Sequence, residues 1–102
     1  MIQMVLQSYS EIRGSNEDVE AQLIFDQERD RYQLVHVGWS NKRRVYGCVV
    51  QMDLQHGKIW IQHDGTDIGI ANELLNRGIP KSDIVLAFQS PFKRQFTEFT
   101  VG

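Results

Sequence analysis

The spacing of apolar residues changes along this chain, and each change predicts a different element. Near the start, apolar residues recur at intervals of three and four: Ile2, Val5, Leu6 and Tyr9. That interval is typical of an amphipathic helix. Residues 14–16 (Gly-Ser-Asn) interrupt it, and residues 19–25 then alternate between the two faces expected of a strand. The sequence therefore predicts a short N-terminal helix followed by a sheet.

Three more segments continue the strand pattern: residues 31–37, 43–54 and 58–63. The links between the strands are short and polar: residues 26–30, 38–42 and 55–57. Such links favour antiparallel hairpins, so we predict a four-stranded meander. In the third strand both alternating sets are apolar, with Val45 and Val49 on one face and Tyr46, Cys48, Val50 and Met52 on the other. We expect this strand to lie centrally, with part of its length covered on both faces.

After Gly65 the interval returns to three and four, with apolar residues at Ile68, Ala71, Leu74 and Leu75. We predict a helix over residues 67–77, with Thr66 as its N-cap and Asp67 in its first turn. Gly78 and Pro80 suit its C-terminal end. Residues 84–88 and 95–101 are predicted as short strands. The expected fold class is α+β: an antiparallel meander of about four strands with the 67–77 helix packed on it.

Length and composition narrow the class of protein. A chain of 102 residues, 41% hydrophobic and 24% charged, is expected to form a single globular domain over residues 1–102. It has no apolar run close to the about 20 residues that a membrane-spanning helix needs. The single cysteine, Cys48, cannot form an internal disulfide, and the start does not resemble a secretion signal. These features predict a cytoplasmic location.

The strand-to-helix corner carries the most suggestive polar residues: His63, Asp64 and Asp67. They could bind a divalent metal, but their spacing matches no known metal signature. Adjacent side chains at a strand end also point to opposite sides. We therefore favour an architectural role for this corner over a metal-dependent enzyme.

No other segment of the sequence predicts catalysis. Cys48 lies in an apolar strand, no serine lies in a nucleophile elbow, and no glycine loop matches a phosphate-binding motif. We expect neither catalytic residues nor a cofactor.

Two basic clusters are candidate contact sites. Lys42, Arg43 and Arg44 lie in the hairpin at residues 41–44, beside Trp39, while Lys93 and Arg94 lie among phenylalanines near the C-terminus. The hairpin could contact phosphates and stack on bases, or it could be a solvated turn that protects strand edges. The formal net charge of −2, from 13 acidic and 11 basic residues, favours the solvated turn. The mixture of rings and charge around Lys93 is common at protein interfaces, so we also expect a homo-oligomer or another protein partner.

Several of these segments together resemble the XisI family, named for the controlling factor of fdxN-element excision in heterocyst-forming cyanobacteria. The resemblance lies in QLIFDQERDRYQLVHVGW, RRVYGCVV and KIWIQHDGTDIGIANELLNRGIPKSDIVLAF, and it runs from about Glu20 to Phe99. The chain has His56 where the resemblance leads us to expect an acidic residue. The resemblance also leads us to expect that members begin with a longer helix ahead of the position of Leu6, so that the N-terminus of this chain is reduced by comparison.

The resemblance implies an α+β fold and a role in programmed DNA rearrangement. Members are associated with a nuclease-like XisH partner and with control of a site-specific recombinase. The resemblance carries over no catalytic residue. We therefore expect a non-enzymatic, regulatory accessory protein, with direct DNA binding through residues 41–44 as the first alternative.

Overall fold

The computed structural model describes residues 1–12 and 18–102. Its elements are α1 (Ile2–Ile12), β1 (Asp18–Asp26), β2 (Arg31–Ser40), β3 (Arg43–Gln55), β4 (Lys58–Asp64), α2 (Ile70–Asn76), β5 (Ile84–Leu86) and α3 (Pro91–Arg94). A short 3-10 turn, Lys81–Asp83, precedes β5. The α+β class and the N-terminal helix are confirmed, whereas the predicted break at residues 14–16 lies outside the described residues.

The described strands form one sheet in the order β1-β2-β3-β4-β5. The first four pair antiparallel, which confirms the meander, and β3 is central as predicted. β5 pairs in parallel with β4, because the segment that contains α2 returns the chain to the same end of the sheet. The second strand is longer than predicted and reaches Ser40, so its turn shrinks to Asn41 and Lys42.

The predicted helix after Gly65 is present but its bounds were wrong, and the strand predicted over residues 95–101 was wrong. The helix predicted over residues 67–77 begins only at Ile70 and ends at Asn76, because the chain bends through residues 65–69 before it becomes helical. Residues 95–101 form turns and bends rather than a strand, with one isolated bridge from Thr100 to Val85. Residues 91–94 form the short helix α3 instead, with Ser90 as its N-cap. The strand predicted over 84–88 is present but stops at Leu86.

One face of the sheet packs on α1 and α2 and forms the core. We call it the inner face. Its buried residues are Ile2, Val5 and Leu6 from α1, Ile70 and Leu74 from α2, and Tyr32, Leu34, Val50, Met52, Ile59, Ile61 and Ile84 from the sheet and its edge. Full burial of such side chains contributes about 1.5–3 kcal/mol each. No helix among the described residues is long and apolar enough to cross a membrane.

A β-bulge in β3 determines which side chains of that strand lie on the other face of the sheet, which we call the outer face. The register between β2 and β3 pairs Leu34 with Val50 but Val35 with Cys48, so Val49 has no partner of its own. One extra residue reverses the alternation along β3. Met52 and Val50 therefore point to the core, whereas Cys48 and Tyr46 share the outer face. The prediction that all four lie on one face was wrong.

Candidate functional site

The strand-to-helix corner is organised around the Asp64 carboxylate. Its Oδ1 accepts hydrogen bonds from Thr66 N at 2.9 Å and from Thr66 Oγ1 at 2.6 Å. Its Oδ2 accepts a hydrogen bond from Ile70 N, the first residue of α2, at 2.8 Å. Thr66 Oγ1 accepts in turn from Gly69 N at 3.1 Å. Thr66 was predicted as the N-cap, but the residue at that position is Gly69, and Asp64 supplies the carboxylate that binds the helix start.

His63 and Asp67 do not join this network. His63 is exposed and pairs with Gln51 on the outer face, so it points away from Asp64, as expected for adjacent strand residues. Asp67 is exposed in the bend and lies outside α2, not in its first turn as predicted. In residues 1–12 and 18–102, no group of three His, Cys, Asp or Glu side chains is placed to hold a metal ion. The three residues therefore do not converge, and only Asp64 has an identified role in the structure.

The β2–β3 hairpin ends in a two-residue turn with an unusual conformation. Asn41 and Lys42 have φ values of 49° and 69°. Positive φ at both central residues is characteristic of a type I′ turn, which usually carries glycine or asparagine. Asn41 fits that preference and Lys42 does not. The turn presents Lys42 and the neighbouring Arg43 to solvent at the end of the hairpin.

Trp39 and Arg44 lie beside this turn and face each other across β2 and β3. The Arg44 guanidinium carbon is 5.5 Å from the centre of the Trp39 ring, a cation–π distance. Arg44 Nη1 also donates to Gly38 O at 3.4 Å. Trp39 is 52% exposed and the neighbouring Tyr46 is 74% exposed. Residues 39–46 therefore place two large rings and Arg44 at one end of the outer face, next to the exposed turn cations Lys42 and Arg43.

The two cations of the second basic cluster, Lys93 and Arg94, lie in different environments. Arg94 is half-buried: it donates from Nε to Gln89 O at 3.0 Å and from Nη2 to Ala87 O at 3.2 Å, and it stacks on Trp60 at 5.6 Å. These contacts fix the C-terminal segment against the sheet. Lys93 is exposed on α3, beside an edge-to-face pair of Phe92 and Phe96 at 5.3 Å. Lys93, and not Arg94, is the cation of this surface that is available to a partner.

The sequence reasoning missed how exposed the phenylalanines are. Phe88, Phe92 and Phe96 are 49%, 68% and 72% exposed. With Lys93 they form what we call the C-terminal patch. Ser90 followed by Pro91 is a helix-start signal, and it could have predicted α3, which carries Phe92.

The outer face also holds a row of polar contacts that no sequence signal indicated. Gln33 donates to Gln51 at 2.8 Å, Gln51 donates to Asp53 at 3.2 Å, and Gln62 donates to the other Asp53 oxygen at 3.1 Å. Asp53 is only 5% exposed. Since both of its oxygens are bonded, the row stabilises the pairing of β2, β3 and β4.

Cys48 lies on the outer face near this row and is half-buried. Burial raises the pKa of its thiol above the ordinary value, because the thiolate is less well solvated there. The reactive thiolate is therefore scarcer near neutral pH than for an ordinary cysteine.

Comparison with known proteins defines the family. The profile described as XisI protein matches residues 1–101. The chain belongs to the XisI family. The crystal structure of a XisI-like protein from Anabaena variabilis ATCC 29413 is 44% identical, with a TM-score of 0.91, and the match covers 99% of this chain and 93% of that one.

A second XisI structure from the same organism is described as fdxN element excision controlling factor XisI. It is 40% identical to this chain, with a TM-score of 0.82, and the match covers 99% of this chain and 92% of that one. The comparison with curated proteins finds no match. The family and the α+β fold expected from the sequence are thereby confirmed, and both relatives come from a cyanobacterium, as the resemblance implied.

Proposed function

We propose that this XisI-family chain is a controlling factor of DNA element excision that acts as a non-enzymatic accessory. The observation that carries the proposal is its 40% identity, over nearly the whole of both chains, to a protein described as fdxN element excision controlling factor XisI. The proposed partner is a XisH-like nuclease-type protein or a site-specific recombinase, and the chain is proposed to self-associate.

Features of the described residues support a binding role. Both oxygens of Asp64 are engaged by the main chain and Thr66, and burial raises the pKa of Cys48. A metal-dependent enzyme at His63, Asp64 and Asp67 would need the Asp64 oxygens for the metal, so we do not carry that alternative forward. The C-terminal patch instead exposes three phenylalanine rings, and aromatic residues are enriched at the core of protein interfaces.

Co-expression with a XisH-like protein tests this proposal. We expect the two chains to elute together in size-exclusion chromatography with light scattering. Replacing Phe92 and Phe96 by Asp should abolish the joint peak, because it places charge where the partner buries rings. Ile68→Asp is the matched control: Ile68 is 56% exposed on another surface and should leave the complex intact. Separate elution of the wild-type chains at every salt concentration would contradict the XisH form of the proposal, and the same experiment with a recombinase would test the other form.

Direct DNA binding through residues 41–44 is the second candidate, and the conformation of Lys42 favours it. A non-glycine residue with φ of 69° is uncommon, and strained residues cluster at functional sites. A titration of duplex DNA at several salt concentrations tests this candidate. Binding that falls with salt, and is lost when Lys42 and Arg43 are both changed to Ala, would support it. Lys58→Ala, at the opposite end of the sheet, is the control and should leave binding unchanged.

A further inference from the structure

The end of the outer face next to the β2–β3 turn carries opposite charges on its two sides. The register aligns three rows across β1, β2 and β3: Asp18–Trp39–Arg44, Glu20–Val37–Tyr46 and Gln22–Val35–Cys48. Residues opposite each other on neighbouring strands point to the same face. The acidic side chains therefore lie along β1, the apolar side chains along β2, and the cation along β3. We call these nine residues the outer patch.

Two charged side chains of the outer patch have contacts within the chain: Glu20 accepts a hydrogen bond from Gln22 Nε2 at 3.0 Å, and Arg44 stacks on Trp39 and donates to Gly38 O. Asp18, Glu20 and Arg44 are exposed, and none forms an ion pair with another residue of the described ranges. The middle of the patch is apolar along β2: Val35 is buried, Val37 is partly buried, and Trp39 at the end of the row is half exposed. Apolar side chains flanked by unpaired charges of opposite sign resemble one half of an interface with a polar rim.

We propose that a second copy of this chain packs face to face on the outer patch, related by a two-fold axis that runs parallel to β2. Rotation about that axis places β1 of one copy over β3 of its partner. Asp18 then faces the partner's Arg44, and the reciprocal pair forms on the other side of the axis. The two β2 strands meet in the middle, so Trp39 packs near its counterpart.

Charge decides between this arrangement and the other face-to-face one. The alternative two-fold axis lies between the two sheets and runs across the strands. It would place β1 over β1 and β3 over β3, so the acidic edge with Asp18 and Glu20 would face itself. Like charges facing each other at an interface cost several kcal/mol. The axis parallel to β2 avoids this and keeps the strands of the two sheets aligned, as in the commoner class of sheet packing. It also leaves both β2–β3 turns at the same end of the pair.

The proposal specifies the surface used in the self-association part of the proposed function, and reciprocal charge reversal tests it. Wild-type chain should elute as a dimer whose dissociation constant rises with salt. Asp18→Arg and Arg44→Asp should each weaken the dimer on the order of 100-fold or more, since each variant places like charges together twice. An equimolar mixture of the two variants should form a dimer again, because both reciprocal pairs then have opposite charges.

Mixing the variants distinguishes two causes of a weakened dimer. It restores dimerisation if the substitutions disrupt contacts between chains, but not if they disturb the fold of a single chain. Asp67→Arg and Lys58→Asp are matched controls that make the same changes of charge away from the outer patch, and they should leave the dimer unchanged. Circular dichroism of each variant should match that of the wild type. A dimer that survives both reversals would overturn this surface while leaving self-association intact. If the wild-type chain stayed monomeric even at about 100-fold the concentration used for chromatography, self-association itself would be overturned. Neither result would affect the proposed binding of the XisH-like partner.

Discussion

Two hairpin turns in this protein have the same backbone shape and different residues. The β2–β3 turn has φ values of 49° at Asn41 and 69° at Lys42, and the β3–β4 turn has 53° at His56 and 73° at Gly57. The second position therefore carries glycine in one turn and lysine in the other. An L-residue in this left-handed region costs about 1–2 kcal/mol relative to the ordinary helical region, and glycine does not carry that cost.

Because this conformation is unfavourable for an L-residue, we expect Lys42 to make the β2–β3 turn less stable than a turn with glycine at that position. The Gly57 turn joins strands at the end of the sheet near Lys58, and it carries the residue that the conformation favours. The Lys42 turn lies beside Trp39, Tyr46 and Arg44, where the exposed rings and charges are concentrated. A contact with DNA, the second candidate function proposed above, would account for a lysine at this position. The following predictions test this account of the two turns and the roles assigned at the strand-to-helix corner, from the largest expected effect to the smallest.

The first prediction concerns Gly38, which anchors the Lys42 hairpin on β1. A Cβ at Gly38 would collide with the main-chain oxygen of Asp18 and lie 2.7 Å from Val19 Cα. Because backbone atoms cannot move aside cheaply, Gly38→Ala should lower the free energy of unfolding by about 3 kcal/mol. Urea denaturation followed by circular dichroism measures this.

Gly47→Ala is the matched control for that substitution. Gly47 pairs with His36 in the same hairpin, and a Cβ there would meet nothing within 4 Å. We expect a change within about 0.5 kcal/mol. Equal losses in the two variants would mean that the hairpin is not anchored through a close approach at Gly38.

The second prediction concerns Asp64, whose carboxylate forms hydrogen bonds within the chain. Asp64 binds the start of α2 through Ile70 N and also holds Thr66. Asp64→Ala should lower the free energy of unfolding by about 1–2 kcal/mol, the range for losing a helix cap. Asp64→Asn keeps one acceptor and should lose less.

Asp67→Ala provides the comparison at this corner. Asp67 is exposed and outside α2, so its removal should change the free energy of unfolding by less than about 0.5 kcal/mol. Chemical denaturation of all three variants under one buffer condition ranks them. A larger loss for Asp67 than for Asp64 would contradict the role that we assign to the Asp64 carboxylate.

The third prediction exchanges the residues of the two turns. Lys42→Gly should raise the free energy of unfolding by about 0.5–1 kcal/mol, because glycine adopts positive φ without steric cost. Gly57→Lys should lower it by about 1 kcal/mol for the reciprocal reason. If Lys42→Gly proved neutral or destabilising, lysine would not be strained in this turn, and the inference drawn from the two turns would fail.

The strand order could be predicted from the sequence more accurately than the residues exposed on each face of the sheet. The bulge at Val49 explains much of this difference. Alternation of apolar residues and short polar links depend on neighbouring positions, so the meander could be inferred. The bulge reverses which residues of β3 face the core, and nothing local to Val49 indicates it. Tyr46 was therefore assigned to the same face as Met52, although it is 74% exposed and Met52 is fully buried.

The start of α2 was misplaced for a related reason. Capping rules consider residues next to the helix, whereas Asp64 reaches Ile70 N from six positions earlier along the chain. The parallel pairing of β5 also depends on tertiary contacts, since only three residues of β5 meet β4. Ser90 and Pro91 were different: they carried a local signal for α3 that could have been used.

The smallest expected effect belongs to His63, the polar residue of the corner that has no identified role. It is exposed on the outer face opposite Gln51, so His63→Ala should change the free energy of unfolding by less than about 0.5 kcal/mol. Thermal denaturation with and without added Zn²⁺ tests whether His63 contributes to stability and whether it binds a metal. A melting temperature that Zn²⁺ raises in the wild type but not in the variant would show that His63 is a ligand. Equal curves for the two proteins would leave Asp64 as the one member of the three corner residues with a measurable role, and the exposed cation of the Lys42 turn would remain the stronger candidate for a contact site.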